Sequence, residues 1–182
     1  MPSSFNTFAA MGNQQKIIVL VSTDLSTDQR VRKMCNSLIN LGYSIELVGR
    51  KLPDSKKLNL PFKTRRFKLW FNKGLLFYAN LNIRLFFFLL FSKFDRIQAN
   101  DLDTLMPAYL VSKLRNKHLV YDTHEIFTEV TEIQGRWVRR IWVLIENSIF
   151  PKVKNVITVN QSIAHFYQQK FLNHKFLLFL LT

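Results

Sequence analysis

The sequence holds only one cysteine, Cys35, in 182 residues. A single thiol excludes an intramolecular disulfide and any cysteine-based metal cluster. Residues 1–15 contain no basic residue and no long apolar run, so they lack the features of a secretion signal. These absences favour a reducing compartment, and we expect residues 1–15 to be a disordered N-terminal extension.

Glycine is also scarce, with five in the chain. None lies in the turn after the first predicted strand, residues 16–22. The G-x-G-x-x-G fingerprint and the Walker loop both bring phosphate close to glycine backbone, so this turn can be neither. It offers Asp28 and Arg30 instead. These are either a helix-dipole acid and a surface ion-pair residue, or part of a binding site.

Acidic residues are few, 12 against 26 Lys and Arg, for a formal charge of +14. Nine of the basic residues lie between Arg50 and Lys73, where Asp54 is the only acid. Such a surface suits anionic lipid headgroups, phosphate-bearing substrates or nucleic acid, and a plain solvated basic face is an equal alternative. Nucleic acid is disfavoured because the aromatics lie mainly in apolar runs and no recognition motif is present.

Apolar runs of two kinds alternate along the chain. Short, β-branched runs predict strands, and runs with helical spacing predict helices. The predicted strands are residues 16–22, 44–48, 62–71 at a basic edge, 96–99, 118–121 and 154–160, and the predicted helices are one capped by Thr27 and closed by Gly42, one between 99 and 118, and residues 74–94, 135–150 and 161–169. This order predicts an α/β fold, a Rossmann-like open, mostly parallel twisted sheet with helices on both faces.

Two of the predicted helices also suggest membrane contact. Residues 74–94 are the most apolar region, but Asn80, Asn82 and Arg84 interrupt it, so a core helix over one face of the sheet is favoured over a membrane span. The predicted helix at 135–150 has an apolar side and a basic side. This pattern indicates either a half-buried helix or a basic amphipathic helix on anionic lipid. Trp137, Ile141, Leu144 and Ile145 form its apolar side, and Arg136, Arg139 and Arg140 form its basic side.

Polar clusters follow two of the predicted strands. Ligands of open α/β sheets bind beyond the carboxyl ends of the strands, so these clusters are the candidate site. Its members are Asn100, Asp101 and Asp103 after one strand, and Asp122, His124 and Glu125 after the next. Asp103 is also a good helix N-cap, and Asp122 could cap the segment after it. A neutral imidazole at His124 could hydrogen-bond a ligand near pH 7.

Several motifs in this order resemble those of a known family. They are D-Q-R-V at 28–31, A-N-D-L-D-T-L at 99–105, Y-D-T-H-E at 121–125 and I-T-V-N at 157–160. The chain resembles the N-terminal domain of a GT-B glycosyltransferase of retaining family 4, over residues 16–170. The resemblance implies an acceptor-side half of a GT-B fold, with a second domain binding the nucleotide sugar.

The resemblance also implies roles for the site residues. His124 would support the transferred sugar, with Asp122 and Glu125 beside it, while Asn100, Asp101 and Asp103 would border the same cleft. Asp28 and Arg30 would contribute to acceptor binding, and Asn160 would face the cleft between the domains. Asp101 and Asp103 have the D-x-D spacing that holds a divalent cation in another transferase class. Because GT-B members do not depend on such a metal, we expect no metal and no cofactor.

We therefore expect a cytoplasmic protein, peripheral on the inner membrane face, whose complete form transfers sugar with retention to a lipid-linked or polysaccharide acceptor. The alternatives are a non-catalytic binding or membrane-anchoring subunit of a split glycosyltransferase and an inactive remnant. The expected partners are the nucleotide sugar, the acceptor, an anionic membrane surface and a separate donor-binding domain or chain. The apolar tail, residues 171–182, is expected to be a truncation or frameshift product, with a short strand or a partner-binding segment as alternatives.

Overall fold

A computed structural model describes residues 14–129 and 137–172 and the backbone of residues 177–180. Within these ranges the chain forms seven strands and five helices. The strands are β1 (Lys16–Asp24), β2 (Ser44–Lys51), β3 (Lys63–Lys68), β4 (Arg96–Asn100), β5 (His118–Thr123), β6 (Asn155–Thr158) and β7 (Leu177–Leu180). The helices are α1 (Gln29–Asn40), α2 (Gly74–Phe91), α3 (Leu102–Leu114), α4 (Trp137–Ile149) and α5 (Gln161–Lys170).

The strands form one parallel sheet in the order β3-β2-β1-β4-β5-β6-β7. The chain moves outward from β1 to β2 and β3, then crosses back so that β4 pairs with the other side of β1. The direction of winding therefore reverses between β1 and β4, which is where ligands bind in doubly wound sheets. The predicted α/β fold is confirmed, and the basic strand predicted for residues 62–71 is the edge strand β3.

Two apolar cores lie on opposite faces of the sheet. On β1, Ile18 and Leu20 point into one core, while Ile17 and Val19 point into the other, as the alternation of a strand requires. Helices α2, α3, α4 and α5 pack on the first core, and α1 packs on the second. Helices therefore cover both faces, with α1 opposite α2 and α3.

Helix α1 ends where the sequence predicts and begins differently. Gly42 has φ +90°, and its N–H donates to the Ile39 carbonyl at 2.8 Å, so glycine closes the helix in the left-handed conformation. The predicted cap Thr27 is wrong. Asp28 caps the helix instead, because its carboxylate accepts the Val31 N–H at 3.0 Å.

Helix α2 covers one face of the sheet, as predicted. Phe77, Leu81, Leu85 and Leu89 are buried under it. Within the described residues it is the one helix long and apolar enough to cross a membrane, with 28% of its residues buried.

The buried side of α4 differs from the prediction. Trp142, Glu146 and Ile149 face the core, whereas Trp137 and Leu144 are 65% and 67% exposed. The predicted apolar side is therefore wrong for Trp137 and Leu144, whereas Ile145 packs against the core. Tertiary packing buries a side of the helix that is rotated around the axis. Residues 135 and 136 of the predicted helix, including Arg136, lie outside the described residues.

At the chain ends, the predicted extension lies outside the described residues except for residues 14 and 15. In the predicted tail, residues 177–180 form β7, which pairs in parallel with β6. Residues 173–176, 181 and 182 lie outside the described part of the chain.

Candidate functional site

The candidate site lies where β1, β4 and β5 end. These strands are adjacent and parallel, so their carboxyl ends share one edge of the sheet. That edge carries the start of α1 after β1, the start of α3 after β4, and the loop from His124 after β5. The two polar clusters predicted from the sequence therefore meet at the start of α1.

Arg30 joins the first turn of α1 to the end of β5. Its Nη1 donates to both carboxylate oxygens of Asp122, at 3.1 and 3.2 Å. The Asp122 side chain is fully buried, while the Arg30 side chain is 31% exposed. Burial raises the pKa of the Asp122 carboxyl, and the nearby Arg30 guanidinium opposes that rise. The position of Asp122 inside β5 also removes the alternative that it caps the following segment.

His124 lies between Arg30 and Asp101. Its Nδ1 is 2.9 Å from Arg30 Nη2 and 3.0 Å from Asp101 Oδ1. The Asp101 carboxylate beside it raises the pKa of His124, against the opposing effects of burial and of Arg30. Within the described part of the chain no hydrogen bond is found at Nε2, on the other side of the ring. That nitrogen can therefore bind a ligand hydroxyl.

Asp101 has an unusual backbone conformation, with φ 62° and ψ 167°. Its N–H donates to the Asp122 carbonyl at 2.9 Å, which ties the end of β5 to the start of α3. Asp101 is the N-cap of α3, yet its side chain makes no capping bond and contacts His124 instead. A non-glycine residue in this region costs about 1–3 kcal/mol and is typical of functional sites.

Asp103 is buried within the first turn of α3, with 4% exposure. The predicted N-cap role is therefore wrong, because α3 begins at Leu102 and its N-cap is Asp101. Burial and the neighbouring Asp101 carboxylate raise the pKa of Asp103 to about 7, although a hydrogen bond with Ser22 opposes the rise. Its Oδ1 has no hydrogen-bond partner. Asp101 and Asp103 thus differ in burial and partner, despite their D-x-D spacing.

The four other predicted site residues have structural contacts. Asn100 is buried and donates to the Leu20 carbonyl at 2.9 Å, which joins β4 to β1. The carboxylate of Asp28 caps α1, and Asn160 Oδ1 accepts the Ile163 N–H at 2.9 Å to cap α5. Glu125 is exposed on the loop after β5, and its backbone carbonyl accepts a hydrogen bond from Thr123.

The sequence patterns did not predict the buried residues that contact the loop after β5. Glu146 is fully buried, and its oxygens accept from Tyr167 Oη at 3.0 Å and Thr128 Oγ1 at 3.3 Å. Lys170 also pairs with Glu146. Glu146 lies four residues after Trp142 and three before Ile149, and an acid at that spacing on an apolar helix side is the signal that could have revealed it.

Gln98 was missed as well. Its Nε2 lies 3.3 Å from Asp122 Oδ2 and 3.5 Å from Asn100 Oδ1, so it bridges the ends of β4 and β5 below the site. The only feature of the sequence that could have indicated a role for Gln98 is that it is a polar residue within a buried strand.

An open pocket of about 360 Å³ lies near the start of α1, at the ends of β1 and β2. It is lined by Thr23, Asp24, Ser26, Thr27, Arg50, Leu52, Asp54 and Lys56. Hydroxyl, carboxylate and cationic groups suit a polar ligand that carries hydroxyls or a phosphate. Among the described residues, no group of three or more His, Cys, Asp or Glu side chains could hold a metal ion.

Comparison with known proteins adds to this geometry. A family model described as Glycosyltransferase Family 4 matches residues 28–175. No match to the chain is found among curated proteins.

Solved structures share the fold at low sequence identity. A sucrose-phosphate synthase from Thermosynechococcus elongatus has a TM-score of 0.67 at 14% identity, over 91% of this chain and 47% of that one. Phytolacca americana UGT2, complexed with UDP-2fluoro-glucose and pterostilbene, has a TM-score of 0.63 at 8% identity, over 86% and 51%. A UDP-GlcNAc 2-epimerase from Methanocaldococcus jannaschii has a TM-score of 0.56 at 12% identity, over 91% and 45%. The chain spans about half the length of these structures.

Proposed function

The chain belongs to glycosyltransferase family 4 and has the fold of the N-terminal half of a GT-B enzyme, and from this premise we propose that it is the acceptor-side domain of a sugar transferase. The complete reaction would move a sugar from a nucleotide donor to a hydroxyl of a lipid-linked or polysaccharide acceptor, with the anomeric configuration retained. The bond from sugar C1 to the donor diphosphate oxygen breaks, C1 bonds to the acceptor oxygen, and the nucleoside diphosphate leaves and takes the proton of the acceptor hydroxyl. Membrane association at the cytoplasmic face belongs to the same proposal.

The observation that carries the proposal is the contact of His124 with Arg30 and Asp101 at the carboxyl edge of the sheet. Both contacts involve Nδ1, so they orient the imidazole and leave Nε2 for a sugar hydroxyl. Arg30 is itself held by Asp122. An oriented imidazole positions a bound sugar, and positioning supplies much of the rate in transfer reactions.

The pocket near the start of α1 is the proposed acceptor site. Arg50 and Lys56 would attract a phosphate of a lipid-linked acceptor, while Thr23 and Ser26 would hydrogen-bond sugar hydroxyls. Solved structures of similar fold carry UDP-sugars, as with UDP-2fluoro-glucose in Phytolacca americana UGT2. We propose that the complete enzyme containing this chain also uses a nucleotide sugar as its donor.

The test is ligand binding by the purified chain, followed by nuclear magnetic resonance. The ligands are a polyprenyl-diphosphate monosaccharide, a free oligosaccharide and UDP-glucose, each with wild type and His124→Ala. We expect an acceptor to shift resonances around the pocket, and His124→Ala to weaken any binding of UDP-glucose. Addition of Mg²⁺ or EDTA should leave binding unchanged, because no metal is proposed. Acceptors that shift no resonance of the folded chain would contradict an acceptor-side role.

The non-catalytic alternative, a binding or anchoring subunit, predicts acceptor binding without transfer. Transfer of glucose from UDP-glucose to a bound acceptor is therefore measured with and without an added donor-binding chain. This measurement separates the transferase domain from the non-catalytic subunit. Retention is checked on the product by its anomeric coupling constant.

A further inference from the structure

Helix α2 exposes a row of apolar side chains that we call the apolar stripe. The stripe consists of Leu76, Ala79, Ile83, Phe87 and Phe91, spaced three or four residues apart on one side of the helix. Its four large side chains are between 53% and 80% exposed. Surface helices normally carry polar residues on the solvent side, and this stripe has none. The other side of α2 is buried against the sheet, so the stripe is not needed for the core.

The apolar stripe continues onto α3. A groove of about 370 Å³ between the two helices is lined by Ile83, Phe86, Phe87, Met106, Pro107 and Leu110 among others. Leu110 and Leu114 of α3 are 43% and 67% exposed. Single exposed apolar side chains are ordinary, but a contiguous patch across two helices marks an interaction surface.

Neither α2 nor α3 exposes an acidic side chain, because the one acid in these helices, Asp103, is buried. No Asp or Glu occurs in residues 55–94 or 104–121, which together hold 12 Lys and Arg residues. Lys73, Lys93 and Lys113 are exposed near the ends of α2 and α3. The patch is therefore apolar at its centre and cationic at its margin.

An exposed tryptophan lies near the same surface. Trp70 is 79% exposed, four residues before α2, and the Arg84 guanidinium lies 5.2 Å from the centre of its ring. Tryptophan is enriched at the boundary between lipid and water, where its ring is apolar and its N–H polar.

We propose that the apolar stripe and the groove beside it dock on an anionic lipid bilayer, with the marginal lysines at the headgroups. A bilayer fits better than a second copy of the chain, because a symmetric dimer through this face would bring the same cations together. This inference rests on the membrane association included in the proposed function and names the surface that would provide it. Because lipid binding does not require sugar transfer, it can fail separately from the transfer reaction.

The test is sedimentation of the 182-residue chain with vesicles, either phosphatidylcholine alone or phosphatidylcholine mixed with phosphatidylglycerol. Phe87→Glu places a charge on the stripe, and Leu41→Glu is its control, because Leu41 is 73% exposed beyond the end of α1, on the opposite face of the sheet. The pair Lys93→Gln and Lys113→Gln is compared with Lys33→Gln and Lys154→Gln, all four lysines being exposed. Circular dichroism and the urea midpoint of each variant establish that it is folded.

We expect binding to the mixed vesicles and little to phosphatidylcholine alone. Phe87→Glu should weaken that binding at least tenfold, while Leu41→Glu should retain it. Each marginal lysine should contribute about fivefold, since one cation near an anionic surface contributes roughly that factor. No binding to mixed vesicles at low salt would overturn the proposal, as would equal losses in Phe87→Glu and Leu41→Glu. A dimer in solution that Phe87→Glu dissociates would assign the face to a second copy instead.

Discussion

At the scale of single residues, His124 Nδ1 lies within hydrogen-bonding distance of two groups that make opposite demands on it. The Arg30 guanidinium only donates, so it requires a lone pair on Nδ1, whereas the Asp101 carboxylate only accepts and requires an N–H. One nitrogen cannot satisfy both at once. A proton on Nδ1 therefore favours Asp101, and its absence favours Arg30.

Replacement of Asp101 by Asn should lower the pKa of His124. The Asp101 carboxylate is the main cause of the raised pKa of His124. Without it, burial and Arg30 both act to lower that pKa. The measurement is the titration of the His124 ring resonance in wild type and variant. Asp54→Asn removes a carboxylate elsewhere and is the control. An unchanged His124 titration in Asp101→Asn would refute this account of the contact.

Replacement of Arg30 by Met should destabilise the protein by about 2–4 kcal/mol, because it leaves the fully buried Asp122 carboxylate without its cation. The loss should be largely recovered by Asp122→Asn in the same chain, since a neutral amide needs no cation. Urea unfolding of the two single variants and the double variant measures this coupling. Arg32→Met, on the same helix, is the control and should cost less than about 0.5 kcal/mol. Additive losses would show that Arg30 and Asp122 do not interact.

Asp103 should make stability fall as pH rises. Its pKa is about 7 in the folded chain against the ordinary value of 3.8. The folded state therefore holds the proton more tightly, and this contribution is complete below pH 3.8 and is lost as pH rises through about 7. Asp103→Asn removes the titration, so its free energy of unfolding should decline less than that of wild type between these pH values.

Urea unfolding at a series of pH values measures the difference between wild type and Asp103→Asn. Other groups titrate in both proteins, and His124, whose pKa is also raised, contributes a decline of the same sign. Parallel pH profiles for the two proteins would contradict the assignment to Asp103.

At the scale of elements, α4 and α5 hold the loop that carries His124. Thr128 of the loop, Tyr167 of α5 and Lys170 of α5 all contact the Glu146 carboxylate of α4. Thr123, at the end of β5, lies 3.5 Å from the Tyr167 hydroxyl. The orientation of the site thus depends on helices that contribute no residue to it.

Replacement of Glu146 by Gln should loosen this loop. The amide keeps an acceptor for Tyr167 but loses the ion pair with Lys170, and its NH₂ group lies among donors. We expect a loss of about 2 kcal/mol in the free energy of unfolding, because a buried charge partner is removed. Amide hydrogen exchange over residues 124–129 should be faster than in wild type. Glu129→Gln, which alters an exposed pair with Arg139, is the comparison and should leave that exchange nearly unchanged.

At the scale of the whole molecule, the formal charge of +14 is a source of self-repulsion. Salt screens exposed charges, whereas buried pairs such as Arg30 and Asp122 are screened much less. We expect the thermal midpoint to rise as sodium chloride is added, most steeply at low ionic strength. A thermal scan over a salt series measures this. A midpoint that falls with salt would show that exposed ion pairs outweigh the repulsion.

The sequence by itself determined the order of strands and helices, the parallel α/β class and the edge at which polar side chains gather. These features follow from local patterns: β-branched runs, helical spacing, Gly42 after α1 and polar residues at strand ends. The basic edge strand and the long apolar helix were predicted for the same reason. The local patterns did not predict the helix N-caps correctly. An acid one residue away can cap the helix instead, as Asp28 does in place of Thr27 at the start of α1.

Tertiary structure alone decided which residues meet. Arg30 and Asp122 are 92 positions apart, and their contact exists only because β1 and β5 both flank β4. The same packing directs the Asn100 side chain toward β1 and buries Asp103. It also buries the side of α4 that carries Glu146 and leaves Leu144 exposed. Burial depends on all the elements packed around a residue, so no local pattern contains it. The sequence therefore specifies the elements and the edge of the site, and long-range packing specifies the contacts there.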